Sequence, residues 1–99
     1  MTVESLTPMT DAELLEKVKS AINMSGNNYQ DDTIMFWIGE VKQDLLFAGV
    51  SADVLGSTLA AGCIARGVDD YWASHREVYS DQFTWQAERL RSTKVKGAE

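Results

Sequence analysis

The sequence has one cysteine, one proline and one histidine in 99 residues. A lone Cys63 excludes an internal disulfide and points to a reducing compartment such as the cytoplasm. One proline, Pro8, and a shortage of β-branched runs favour helices over strands. Cys63 and His75 are too few ligands for a zinc site. As a nucleophile–base pair they fail on distance, because twelve residues along one helix separate them by roughly 18 Å. A basic surplus is also missing. Nine Lys and Arg face fifteen Asp and Glu, a formal charge of −6, which argues against binding through phosphate contacts. No apolar run approaches the length of a membrane span. The opening MTVESLTPMTDAE has neither the basic nor the apolar stretch of a secretory signal.

Other chemistry is absent as well. Asp31–Asp32 and Asp69–Asp70 are adjacent pairs, and neighbours on a helix diverge, so neither resembles a proton-sharing dyad. Capping accounts for the first pair and an ion pair with Arg66 or Arg76 for the second. Gly56, Gly62 and Gly67 fall within a helical pattern and follow no strand, so they make no phosphate loop. The sequence therefore nominates no catalytic, cofactor-binding or metal-binding residue, and the expectation is a protein without enzymatic activity.

The chain is long enough for one core and no more. With 44% hydrophobic residues it should fold, with disorder confined to its ends. The pattern predicts an all-α, four-helix domain over residues 10–91, preceded by an arm at 1–9 and followed by a flexible C-terminal tail at 92–99. Thr10 and Glu13 form a capping box. Leu14, Leu15, Val18, Ala21 and Ile22 then line one side of the first helix, with Glu16, Lys17 and Lys19 off it. Ser25–Asn28 is a turn. Asp31 or Asp32 is expected to cap a second helix that Gly49 stops. Ser51 caps a third, uncharged from Val54 to Ala65 and rich in small residues, which reads as the buried central helix running to about residues 74–76. Asp81 is expected to cap a fourth, with Phe83, Ala87 and Leu90 on one side and Trp85 opposite.

The second helix carries the main functional signal. Ile34, Ile38, Val41, Leu45 and Ala48 form one continuous apolar stripe. Phe36 and Phe47 are eleven residues apart, three turns in near register, and lie far round the helix from that stripe. A single small core cannot use both sides. Phe36, Phe47 and Trp85 are therefore candidates for a subunit contact, unless the N-terminal arm folds over them. Trp37 should be partly buried beside the stripe. Charge is uneven: residues 1–50 hold eight acids and three bases, residues 51–99 seven and six. Arg89, Arg91, Lys94 and Lys96 make a basic end, which suits either a helix C-terminus with a solvated tail or a tail that docks on an acidic partner.

Two resemblances follow. Leu55-Gly56-Ser57-Thr58-Leu59 is similar to the Leu-Gly-x-Asp-Ser-Leu segment of acyl carrier proteins, although no aspartate immediately precedes Ser57. It implies, as the alternative, a small acidic carrier or regulatory domain acting as a monomer or dimer.

The order of elements resembles something else over residues 12–92. Leu14-Leu15-Glu16-Lys17-Val18-Lys19 opens a short helix, and Asp31-Asp32-Thr33-Ile34 opens a long one. A small-residue helix ends in Val68-Asp69-Asp70-Tyr71-Trp72, and a last helix carries Phe83 and Leu90. This resembles the small head–tail connector, or adaptor, proteins of tailed bacteriophages. The resemblance implies a virion protein made in the host bacterial cytoplasm. It would form a ring of about a dozen copies beneath the portal protein, a closed head-to-tail arrangement. The ring would extend the channel through which DNA passes without sequence-specific binding and would present a surface to the next neck or tail protein. It implies no cofactor and no membrane. Portal docking would fall to the segment from Arg89 to Glu99.

Overall fold

The computed structural model describes residues 2–73 and 78–95. It is an all-α domain. α1 spans Asp11–Ala21, α2 Asp31–Phe47, α3 Ala52–Leu55, α4 Thr58–Val68 and α5 Asp81–Arg91. The residues Asp69–Ala73 prolong α4 as a π-helical turn.

The helix ends follow from local chemistry. Thr10 and Glu13 close the expected capping box at α1. Both α1 and α2 end in Schellman motifs. Met24 N donates to Lys19 O and Asn23 N to Ser20 O at α1, and Val50 N to Leu45 O and Gly49 N to Leu46 O at α2. Asn23 (φ 62°) and Gly49 (φ 101°) supply the left-handed residue in each.

The expected third helix is two helices. α3 stops at Gly56, and Ser57 starts α4 by accepting from Leu59 N. Leu55 is buried while Leu59 is partly exposed, so they do not share the face that a continuous helix would give them. The N-terminal arm occupies the break. Met9 N donates to Gly56 O and Thr58 N to Thr7 O, while Pro8 bridges Ser57. Further out, Thr2–Val3 (β1) pairs in parallel with Lys94–Val95 (β2). The flexible tail expected from Ser92 on is not seen at its start: Thr93 is buried and Lys94–Val95 is paired. Residues 96–99 lie outside the described residues.

α4 is the centre, as expected, with α1, α2 and α5 packed around it. The α2 stripe is used as far as Leu45: Ile34, Ile38, Val41 and Leu45 are all buried at 0–1% exposure, while Ala48, expected to continue it, caps the helix and is exposed. Each such side chain stabilises the fold by about 1.5–3 kcal/mol relative to leaving it in water. Ala60, Ala61, Ile64 and Val68 meet them from α4, and Phe83, Ala87 and Leu90 from α5.

Two polar nodes depart from expectation. Lys19, placed by pattern on the solvent side of α1, is fully buried. Its ammonium donates to Asn28 Oδ1 at 2.8 Å and sits 2.9 Å from Asp31 Oδ1. A buried ammonium needs such partners. Asp31 is thereby taken up as an ion-pair partner. The residue before α2 is Gln30, which makes no side-chain cap, so neither Asp31 nor Asp32 is the cap. At α5 the cap is Ser80 and not Asp81. Ser80 N and Oγ both donate to the buried Asp70 Oδ2, at 3.0 and 2.7 Å, and Ser80 Oγ accepts from Phe83 N. This fastens the end of the central helix to the start of the last one.

Candidate interaction surface

The residues left over after folding define the surface. Phe36 is 60% exposed, Phe47 80% and Trp85 62%. The N-terminal arm does not cover them; its bonds go to the α3–α4 break and to β2. All three aromatic candidates are therefore exposed, as their spacing suggested.

On α2, Phe36, Gln43 and Phe47 run along the side opposite the buried stripe, with Asp32 and Glu40 flanking them, all exposed. Leu46, 45% exposed, extends the apolar area beside Phe47. Gly39 lies in the same region. A Cβ built there would meet nothing within 4 Å, so the helix surface has a dent between Phe36 and Gln43. Phe36 is anchored at one edge by an edge-to-face contact with the half-buried Trp37, ring centroids 5.6 Å apart. Trp37 stacks on Tyr71, Tyr71 meets Tyr79, and Tyr79 stacks on buried Phe83. One ring of the exposed ridge is thus continuous with the core. Tyr79 also donates its hydroxyl to Asp44 Oδ2 at 2.5 Å. Burial, with the Asp44 carboxylate, pushes that phenol well above its ordinary range.

The second ridge is on α5. The Arg89 guanidinium lies 4.9 Å from the Trp85 ring centroid, a cation–π arrangement. Arg91 points to the opposite side of the helix. Its aliphatic stem approaches Gly49 at the end of α2 and its guanidinium pairs with Glu88. Lys94 is exposed within the β1–β2 pair. The four bases expected to form one docking tail are thus distributed. Arg89 belongs to the Trp85 surface, Arg91 to the α2–α5 contact and Lys94 to the paired segment, while Lys96 lies outside the described residues.

Between α4 and α5 there is an open cleft lined by Leu59, Gly62, Cys63, Gln86, Arg89 and Thr93. Cys63 is buried, its thiol directed to the Phe83 carbonyl at 3.9 Å. Burial pushes its pKa up to about 12, which makes it an inert core residue. His75 lies outside the described residues. Among the described residues no group of three His, Cys, Asp or Glu could hold a metal ion, and no helix is long and apolar enough to cross a membrane. Ser57, the candidate attachment point of a carrier domain, is 2% exposed, and its hydroxyl donates to Val54 O while capping α4. A serine so placed offers no nucleophile to a transferase.

The sequence missed the Lys19 node, the Asp70–Ser80 fastening and the Gly39 dent. Ser80, three residues before buried Phe83, carried a readable capping signal. Lys19 carried none.

Protein-family models, curated proteins and solved structures give no match to this chain.

Proposed function

We propose that this protein is a structural subunit of the neck of a tailed bacteriophage, a head–tail connector that assembles as a ring under the portal protein. The observation that carries this reading is the exposure of Phe36 and Phe47 on α2 and of Trp85 on α5, each on the side of its helix away from the buried face. Isolated exposed apolar residues are ordinary. Two aromatic ridges on different helices of so small a domain are better suited to neighbours. A head-to-tail ring uses two different faces of each subunit, and α2 and α5 each offer one. The acidic surplus fits a channel wall, since it gives DNA no counterion-release grip. The order of helices over residues 12–92 adds family likeness. Portal docking then falls to the segment from Lys94 onward.

The test is native mass spectrometry and light scattering of the full chain, alone and mixed with portal protein. A complex with portal carrying many copies of the chain is the expected result. A strictly monomeric chain with no affinity for portal overturns the reading. Attachment of phosphopantetheine at Ser57 would establish the carrier alternative, against which the burial of that hydroxyl counts.

A further inference from the structure

The cleft between α4 and α5 is built from residues that cost the protomer stability. Leu59 and Gly62 form one wall, and Gln86, Arg89, Leu90 and Thr93 the other. Gly62 stands inside α4, where a glycine weakens a helix relative to alanine. Nothing in the protomer requires it: a Cβ built there would meet no atom within 4 Å. Gln86 adds a second cost. Its Oε1 is turned away from solvent and accepts no hydrogen bond, and a buried acceptor without a donor is destabilising. Gly39 is as open as Gly62, yet among the described residues no unpartnered buried polar atom accompanies it. In the α4–α5 cleft the two costs face each other.

The walls define what would offset those costs. A carboxamide oxygen is matched by the N–H of a peptide group. The terminal torsion of a glutamine is broad, so a small turn of the Gln86 carboxamide brings Oε1 to face an N–H in the cleft. A helical partner has its N–H groups engaged in its own bonds, so the donor belongs to extended chain. Leu59, 38% exposed, and Leu90 flank the bare backbone of Gly62 and suit an aliphatic side chain. Arg89 is the only charged residue lining the cleft. Its guanidinium lies over the Trp85 ring, which holds it without neutralising it. Glu88, next to it in sequence, pairs with Arg91 instead. Asp81 lies eight residues earlier, about 12 Å along α5, and does not line the cleft. Arg89 is therefore placed for a carboxylate from outside the chain. From Gln86 to Thr93 the cleft runs about 10 Å, the span of about three extended residues.

We infer that the α4–α5 cleft binds a short extended segment of a partner protein that carries an aliphatic residue next to an aspartate or glutamate. A peptide N–H of that segment donates to Gln86 Oε1. Its aliphatic side chain lies over Gly62 between Leu59 and Leu90, and its carboxylate meets the Arg89 guanidinium. The Phe36–Phe47 ridge of α2 takes no part, so the cleft can hold such a segment whatever α2 contacts.

The experiment titrates the full isotope-labelled chain, followed by amide NMR, with the capped dipeptide acetyl-leucyl-glutamate N-methylamide and with its neutral counterpart, acetyl-leucyl-glutamine N-methylamide. For the acidic probe, shifts should concentrate at Gly62, the Gln86 side-chain amide, Arg89 and Leu90. The neutral probe should bind about fivefold more weakly or worse. Gly62→Leu fills the cleft without its Cβ meeting an atom of the protomer, so it should abolish those shifts and keep the helical circular dichroism. Gln86→Leu should weaken binding by about fivefold or more while leaving the melting temperature unchanged or higher, because it removes the unpaired acceptor. A lower melting temperature with binding intact would make Gln86 structural and overturn the inference. Arg89→Gln should make the two probes equal. Equal binding of both probes by the wild-type chain, shifts placed elsewhere, or no shift at millimolar probe overturns it too. So does loss of self-association in Gly62→Leu, which would give the cleft to a second copy. A chain that assembles with portal protein yet leaves both probes unbound removes the cleft site and keeps the ring.

Discussion

Gly67 on α4 and Gly39 on α2 are the same residue type in the same helical setting, yet their surroundings are opposite. A Cβ at Gly67 would fall 2.8 Å from both Phe83 Cε2 and Val41 Cγ1; a Cβ at Gly39 would meet nothing within 4 Å. Both glycines cost helix stability. Gly67 offsets the cost within the protomer by letting α2 and α5 close on the central helix. Gly39 has no such internal return. The contrast separates a finished seam from an open face, on two sides of one helix pair.

The largest expected effect is at the seam. Gly67→Ala should destabilise the fold by about 1–3 kcal/mol in chemical denaturation, because overpacking outweighs the gain in helix propensity. A stabilisation of about 1 kcal/mol, the propensity gain alone, would mean that the seam is loose. Next, Ser80→Ala removes both the α5 cap and the hydroxyl donor to buried Asp70 Oδ2. The backbone N–H remains, so the loss should be about 1–2 kcal/mol in the same assay. On the open face the sign reverses: Gly39→Ala should stabilise the protomer by about 0.5–1 kcal/mol. A loss there would place an unseen neighbour within the chain. Phe36→Ser with Phe47→Ser should shift stability by no more than about 0.5 kcal/mol each and leave circular dichroism nearly unchanged, while weakening assembly. Unfolding instead would make these rings core.

The last contrast is silent at neutral pH. The Cys63 pKa is raised from 9.0 to about 12 in the folded state. Burial favours the neutral thiol, so its contribution to stability is intact below pH 9 and is lost as pH rises toward 12. The thiolate absorbance of the folded protein should appear near pH 12; an onset near 9 would show that solvent enters the seam.

Much of this was legible because it rests on period and capping. The α2 stripe, the opposite placement of Phe36 and Phe47, the apolar side of α5 and the capping box at Thr10 all follow from spacing alone. What was not legible depends on pairs distant in sequence. Lys19 looks solvated because the pattern cannot foresee that Asn28 and Asp31 will fold back onto it. The break between α3 and α4 was hidden by the uncharged run from Val54 to Ala65, in which Ser57 reads as a small filler unless the arm at Thr7–Met9 is known to bond there. The basic end looked like one patch because four bases are close in sequence. A helix turns about 200° in two residues, and that sends Arg89 and Arg91 to different sides. Gly39 is the subtlest case, for a glycine announces a close approach without saying whose.

The two-residue ladder between β1 and β2 has a mechanical consequence. Because the strands run in parallel, tension applied through the residue before Thr2 and the segment after Val95 pulls them along their length in opposite directions. Its bonds are then loaded together, in shear, and do not open one at a time like a zip. Few as they are, they would resist a stretching load before any helix is peeled from the bundle.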